Sequence, residues 1–89
     1  MVLAWNEQLM ATEMTFMAGT EVPLHSHHHT QCTYILAGRF KYTVDGERVE
    51  VGPGDSAVVL GGATHGMICI TESGKAVEMF TPVRQDFLK

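Results

Sequence analysis

His25-Ser26-His27-His28-His29-Thr30-Gln31 gathers four of the chain's five histidines into five positions beside an uncharged amide. Successive side chains of an extended strand alternate between faces, so His25 and His27, two apart, aim two imidazoles at one point. The residues after them are too polar for a buried strand interior, and Gln31 opens an apolar run, Cys32-Thr33-Tyr34-Ile35-Leu36-Ala37, that stops at Gly38. This pattern predicts a strand up to His27, a turn over His28 to Thr30 and a second strand from Gln31, the hairpin bringing the amide back to the histidine pair. His65 stands apart behind Gly61-Gly62-Ala63-Thr64 and is the candidate to close the site from across the sheet. Three convergent imidazoles are costly to desolvate without a shared partner, which points to a metal ion. An amide oxygen is a neutral hard ligand, so Gln31 is either a fourth ligand or a group that orients a ligand histidine from behind. His28 and His29 read as exposed turn residues.

Outward from this stretch the chain reads as short strands. Met1 to Asn6 has the look of a lead-in or an edge strand. Over Glu7 to Met17, Thr12, Met14 and Phe16 alternate with Glu13, Thr15 and Met17, although Leu9, Met10, Glu13 and Met14 also fit a helix. Phe40, Tyr42 and Val44 alternate ahead of Asp45-Gly46, and Val49 and Val51 alternate after it, which is the signature of a tight hairpin. Gly52-Pro53-Gly54-Asp55 is a further turn, Ser56 to Leu60 a short buried strand, and His65 to Thr71 and Ala76 to Thr81 two more, separated by Glu72-Ser73-Gly74-Lys75. Seven or eight strands at this spacing, with no convincing helix, predict one all-β domain over residues 1–89, an antiparallel barrel. Cys69, four after His65, shares its face and reads as a small core residue, and the six methionines as core filling.

A chain of 89 residues buries only ~60–65% of its unfolded surface. Its core is thin, and pairing of two copies along open sheet edges, giving a homodimer, is a natural supplement. A formal charge of -4 with six scattered basic residues argues against nucleic acid and anionic membrane surfaces as partners. Two cysteines make no disulfide framework, and neither a secretory leader nor a membrane-length apolar run is evident, so a reducing, cytoplasmic setting is expected.

The spacing Gly19-x5-His25-x-His27-x3-Gln31-x6-Gly38, followed by Gly54-Asp55 and then His65, resembles the two motifs of the cupin superfamily, here at 19–38 and 54–69. The resemblance implies a cupin-type double-stranded β-helix, or jelly-roll, and a single divalent transition ion such as Ni, Zn, Fe or Mn held by His25, His27, Gln31 and His65. Gln31 stands where most cupins have glutamate, Leu60 where proline is usual, and Cys69 where asparagine is frequent. The first two differ in kind: leucine touches packing, whereas glutamine leaves the charge of the ion uncompensated and favours Lewis-acid chemistry.

In Ala76-Val77-Glu78-Met79-Phe80-Thr81, Ala76, Glu78 and Phe80 share a face, and a lone acid inside an apolar strand needs a partner or a purpose. Arg84 is near enough in sequence to be that partner; an edge strand with Glu78 in water is the equally weighted alternative. The stretch His25-Ser26-His27-x-His29-x-Gln31 with the tail Glu78-x-Phe80-Thr81-Pro82-x-Arg84-x-Asp86-Phe87-Leu88 is similar to the small pectin-degradation cupins of the KdgF type. That similarity implies an enzyme that linearises 4,5-unsaturated uronates, sugar acids released by pectin and alginate lyases. It also implies Glu78 and Arg84 as catalytic groups and Phe80 with Arg84 as substrate contacts. Glutamate replaces the family's aspartate. A metal-dependent dioxygenase and a non-catalytic sugar-binding or sensor module are the competing functions.

Overall fold

Alternation of inward and outward side chains builds two facing sheets in the computed structural model, which describes residues 1–88. Among them are nine strands, β1 (Val2–Trp5), β2 (Met10–Met17), β3 (Glu21–His25), β4 (Thr30–Ala37), β5 (Phe40–Val44), β6 (Glu47–Val51), β7 (Ser56–Val59), β8 (His65–Cys69) and β9 (Ser73–Thr81). A short 3-10 turn at Gln85–Leu88 follows. One sheet runs β1-β2-β9-β4-β7 and the other β3-β8-β5-β6, with antiparallel pairing throughout. This is the all-β jelly-roll barrel expected from the sequence.

The inward faces change character along the barrel. Gly74, Ala76, Ile35, Phe16, Phe40 and Cys69 close one end, with the Phe16 and Phe40 rings edge to face at 5.2 Å. Towards the other end the same faces turn polar. The register pairs Ile35 with Ala76, then Thr33 with Glu78, while β8 and β5 pass from Cys69↔Phe40 through Met67↔Tyr42 to His65↔Val44. The polar end is therefore anchored on a tightly packed apolar floor. Phe40, Ile35 and Ala76 are at most 1% exposed, and apolar burial of this kind holds the two sheets together.

Several expectations are corrected. No hairpin joins the histidine strand to the Gln31 strand: β3 and β4 lie in different sheets, and residues 26–29 cross between them. The strand ends at His25, so parity does not bring His27 beside it. β7 is mostly exposed, with only Val59 buried, and the last strand begins at Ser73 because the turn falls earlier. The helical alternative for residues 7–17 loses to strand pairing of β2 with β9 over its full length. β9 itself is central, flanked by β2 and β4, which rules out the edge-strand reading of Glu78. Of the methionines, Met10 and Met67 are core, whereas Met1 and Met17 are exposed.

Antiparallel sheets commonly present polar residues to water on the face away from the core. Here the outer face of β4 and β7 carries Tyr34, Leu36 and Val58, with Leu60 just past the end of β7, all exposed. Val77 and Met79 lie beside them, in register with Tyr34 and Cys32.

Asp45 and Gly46 have φ of 48° and 84°, the two left-handed positions that a type I′ hairpin requires. Gly38 has φ of 79°, and a Cβ there would also strike the Ser73 carbonyl oxygen and lie 2.7 Å from the Gly74 Cα. Gly46→Ala meets open space and is expected to cost about 1–2 kcal/mol, the left-handed penalty alone. Gly38→Ala adds a backbone collision and is expected to cost about 2–5 kcal/mol. Urea midpoints of the two variants measure the difference; equal losses would show that the collision relaxes freely.

Candidate metal centre and its pocket

Each histidine of the expected triad is held by the main chain. His25 Nδ1 lies 2.8 Å from the Pro23 carbonyl oxygen, His65 Nδ1 2.9 Å from that of Ala63, and His27 Nδ1 3.0 Å from that of His29. A carbonyl only accepts, so each Nδ1 carries the proton and each Nε2 keeps its lone pair. One ring nitrogen from each of the three lies within 4.8 Å of the others. His25 faces His65 because β3 and β8 pair them directly, and His27 joins from the crossing segment.

Gln31, on β4, completes the group. Its Oε1 stands 2.9 Å from His27 Nε2 and 3.1 Å from His65 Nε2. Its Nε2 donates to Glu78 Oε2 at 2.7 Å, and the Thr33 and Tyr42 hydroxyls, at 3.2 and 3.3 Å, share the other hydrogen. Reversing the amide would press its oxygen onto the Glu78 carboxylate, so that contact favours the present direction. Three lone pairs thus meet at hydrogen-bond distance with no proton to share, an arrangement that a positive centre relieves. Protonating both rings instead would place two imidazolium ions side by side, and burial, aided by His25 and His27, already pulls the His65 pKa down. Three neutral nitrogens and one neutral oxygen therefore fit a divalent transition ion.

Beside this group Glu78 is buried in the middle of its sheet. Burial pushes its pKa up, while hydrogen bonds from Gln31 and Thr33 pull the other way. One oxygen is committed to the amide; Oε1 has no hydrogen-bond partner among the described residues. The side chain lines a pocket with His25, His65, Phe80, Arg84 and Phe87. Arg84 does not pair with Glu78 as expected. It donates from Nε and Nη2 to Asp86 at 3.3 and 2.8 Å, and its guanidinium carbon lies 4.2 Å from the Phe87 ring centre and 5.1 Å from that of Phe80. The charged hydrogen bond holds the Asp86 carboxyl below its usual range.

All seven sequence candidates, His25, His27, Gln31, His65, Glu78, Phe80 and Arg84, thus surround one region of the barrel mouth. Four participants were missed. Thr33 was legible by parity, being two after Gln31 on the same strand; Tyr42, Asp86 and Phe87 were not, because their contacts are distant or depend on how the tail folds back. His29 corrects the exposed-turn reading: it is 8% exposed, its ring centre 5.4 Å from that of His27, and its pKa is lowered first by burial and then by His28. His28 is exposed as expected, and Cys69 is a core residue.

The cupin domain family matches residues 12–81. The pectin degradation protein KdgF of Dickeya dadantii (strain 3937) is 30% identical over 88 residues, which are 98% of this chain and 80% of that protein. Among solved structures, an RmlC-like cupin from Shewanella frigidimarina superposes with a TM-score of 0.94 at 37% identity, covering 97% of this chain and 77% of that one. KdgF from Halomonas sp. gives a TM-score of 0.95 at 28% identity over 98% and 80% of the two chains.

Protein prepared without a nickel column and stripped by chelator is expected to take up one Zn²⁺ or Ni²⁺ per chain in calorimetry. His65→Ala is expected to weaken that uptake by more than the roughly 10–100-fold that loss of an outer hydrogen-bond partner costs. An unchanged affinity would remove His65 from the ligand set.

Proposed function

Because this chain belongs to the cupin domain family, and is within it a relative of the pectin degradation protein KdgF, we propose that it is a metal-dependent enzyme that opens 4,5-unsaturated uronates to linear 4-deoxy-5-keto acids. The observation that carries this reading is the meeting, in one pocket, of a neutral metal-ligand set, a buried acid with one free oxygen and an arginine stacked on two aromatic rings. A sugar acid needs each of these. His25, His27, His65 and Gln31 would hold the ion, which supplies Lewis-acid polarisation of a sugar oxygen.

The reaction is an isomerisation. The C1 hydroxyl loses its proton, the bond from C1 to the ring oxygen breaks, C1 becomes an aldehyde, and an enolate is left across C4 and C5. Adding that proton at C4 turns the enolate into the 5-ketone. One group can therefore carry the proton from start to finish, and Glu78 Oε1 is free to do so. The raised pKa of Glu78 brings it nearer to neutrality, where such a group both accepts and returns a proton. Arg84 holds the sugar carboxylate through Nη1, which Asp86 leaves uncommitted. Phe80 gives the sugar an apolar wall. The two free cysteines, Cys32 and Cys69, accord with a cytoplasmic setting, and no helix among the described residues is long and apolar enough to cross a membrane.

Incubation with an unsaturated galacturonate, followed by NMR, tests the assignment. Glu78→Gln is expected to lower kcat by about 10²–10⁴-fold, the usual worth of a positioned proton carrier. Arg84→Ala is expected to raise KM by about 10–100-fold, in line with a charged hydrogen bond of ~1.5–3 kcal/mol. Saturable binding without product would mark a sugar-binding module instead, and unchanged turnover in both variants would remove these roles.

The exposed apolar strip of Tyr34, Leu36, Val58 and Leu60 further suggests that two copies pair isologously through this outer face, in place of the sheet edges. Sedimentation of the wild type is expected to give a dimer and that of V58E/L60E a monomer; a wild-type monomer at all concentrations would refute the pairing.

A further inference from the structure

We infer that Glu78 is a positioning residue for Gln31: one carboxylate oxygen sets which end of the amide faces the histidines, while the other remains for substrate. The inference rests on the metal reading above and adds to it a separation of two tasks within one side chain. The terminal torsion of a glutamine is broad and nearly two-fold, so nothing intrinsic to Gln31 chooses its oxygen over its nitrogen. Two neighbouring hydroxyls do not choose either. The Thr33 and Tyr42 hydroxyls, 2.9 Å apart, can each donate or accept and would serve an amide in both orientations. Glu78 alone favours the ligating orientation, because an ionised carboxylate only accepts, whereas the bare Nε2 lone pairs of His27 and His65 would draw the NH₂ towards themselves until a positive centre lies between.

The contact also explains the length of the side chain. β4 and β9 pair Thr33 with Glu78 and Gln31 with Phe80, so the link from Glu78 to Gln31 is diagonal across the strands. Diagonal neighbours lie about 7–8 Å apart at Cα, a span suited to two long side chains. With Gln31 3% exposed and Glu78 8%, water does not offer the amide a competing acceptor. A reversed amide would donate its NH₂ to the Nε2 lone pairs of His27 and His65 and so remove the oxygen ligand.

The test is a Zn²⁺ titration of metal-free wild type, E78Q and E78M, with the thermal melt of each metal-free protein as a folding control. E78Q retains an oxygen that can accept from Gln31, and its Zn²⁺ affinity is expected to stay within about threefold of wild type while turnover falls. E78M has no acceptor, and its affinity is expected to fall about 10–100-fold. Wild-type affinity in folded E78M overturns the inference, as does an equal loss in E78Q, which would assign the effect to charge. A wild type that binds no Zn²⁺ overturns the metal reading and the inference with it. The wild-type side-chain amide of Gln31 gives a readout free of any folding defect: its NMR signals are expected downfield, slow to exchange and in contact with Glu78 in metal-free protein, and random-coil behaviour, or contacts of the NH₂ with His27 and His65 in place of Glu78, overturns the inference.

Discussion

The 2.7 Å hydrogen bond from Gln31 to Glu78 ties β4 to β9 at the mouth of the barrel, and the polar half of the molecule is arranged around it. It joins the two strands at the middle of the five-stranded sheet, where both side chains are shielded from water. On one side the amide oxygen meets His27 and His65, which come from the crossing segment and the opposite sheet. On the other, Thr33 and Tyr42 share the remaining amide hydrogen. Breaking a buried bond of this kind leaves charged or polar groups unsatisfied, a cost larger than the net worth of the bond itself.

The apolar floor makes such a network sustainable. Phe40, Ile35, Phe16 and Ala76 pack the closed end and hold the facing sheets at the spacing in which the polar groups meet. A chain of this length buries a modest core, and the site occupies inward positions that would otherwise add to it. Function has been placed on the interior faces, where backbone register sets positions to within the tolerance that ligand geometry needs.

Much of this was legible in the sequence, and for identifiable reasons. Asp45-Gly46 announced its hairpin because few turns accept two left-handed residues in succession. His25, His27, Gln31 and His65 stood out because imidazoles and an amide at that spacing are costly to bury without a shared use. Parity put Ala76, Glu78 and Phe80 on one face, and they are all buried. Parity says which face a residue occupies, not which strand lies next to it. That is why a hairpin was expected where the chain crosses between sheets, and why Arg84 was paired with Glu78 when it turns to Asp86. The burial of His29 follows from the same crossing, which no local pattern encodes.

Pro23, Ala63 and His29 each receive the Nδ1 proton of a histidine two positions away, through the peptide carbonyl and not through a side chain. The tautomer of every ring is consequently written into the course of the chain and survives replacement of neighbouring side chains. Diversification within such a scaffold can recast the walls of the cavity, while the orientation of the three imidazoles is inherited intact.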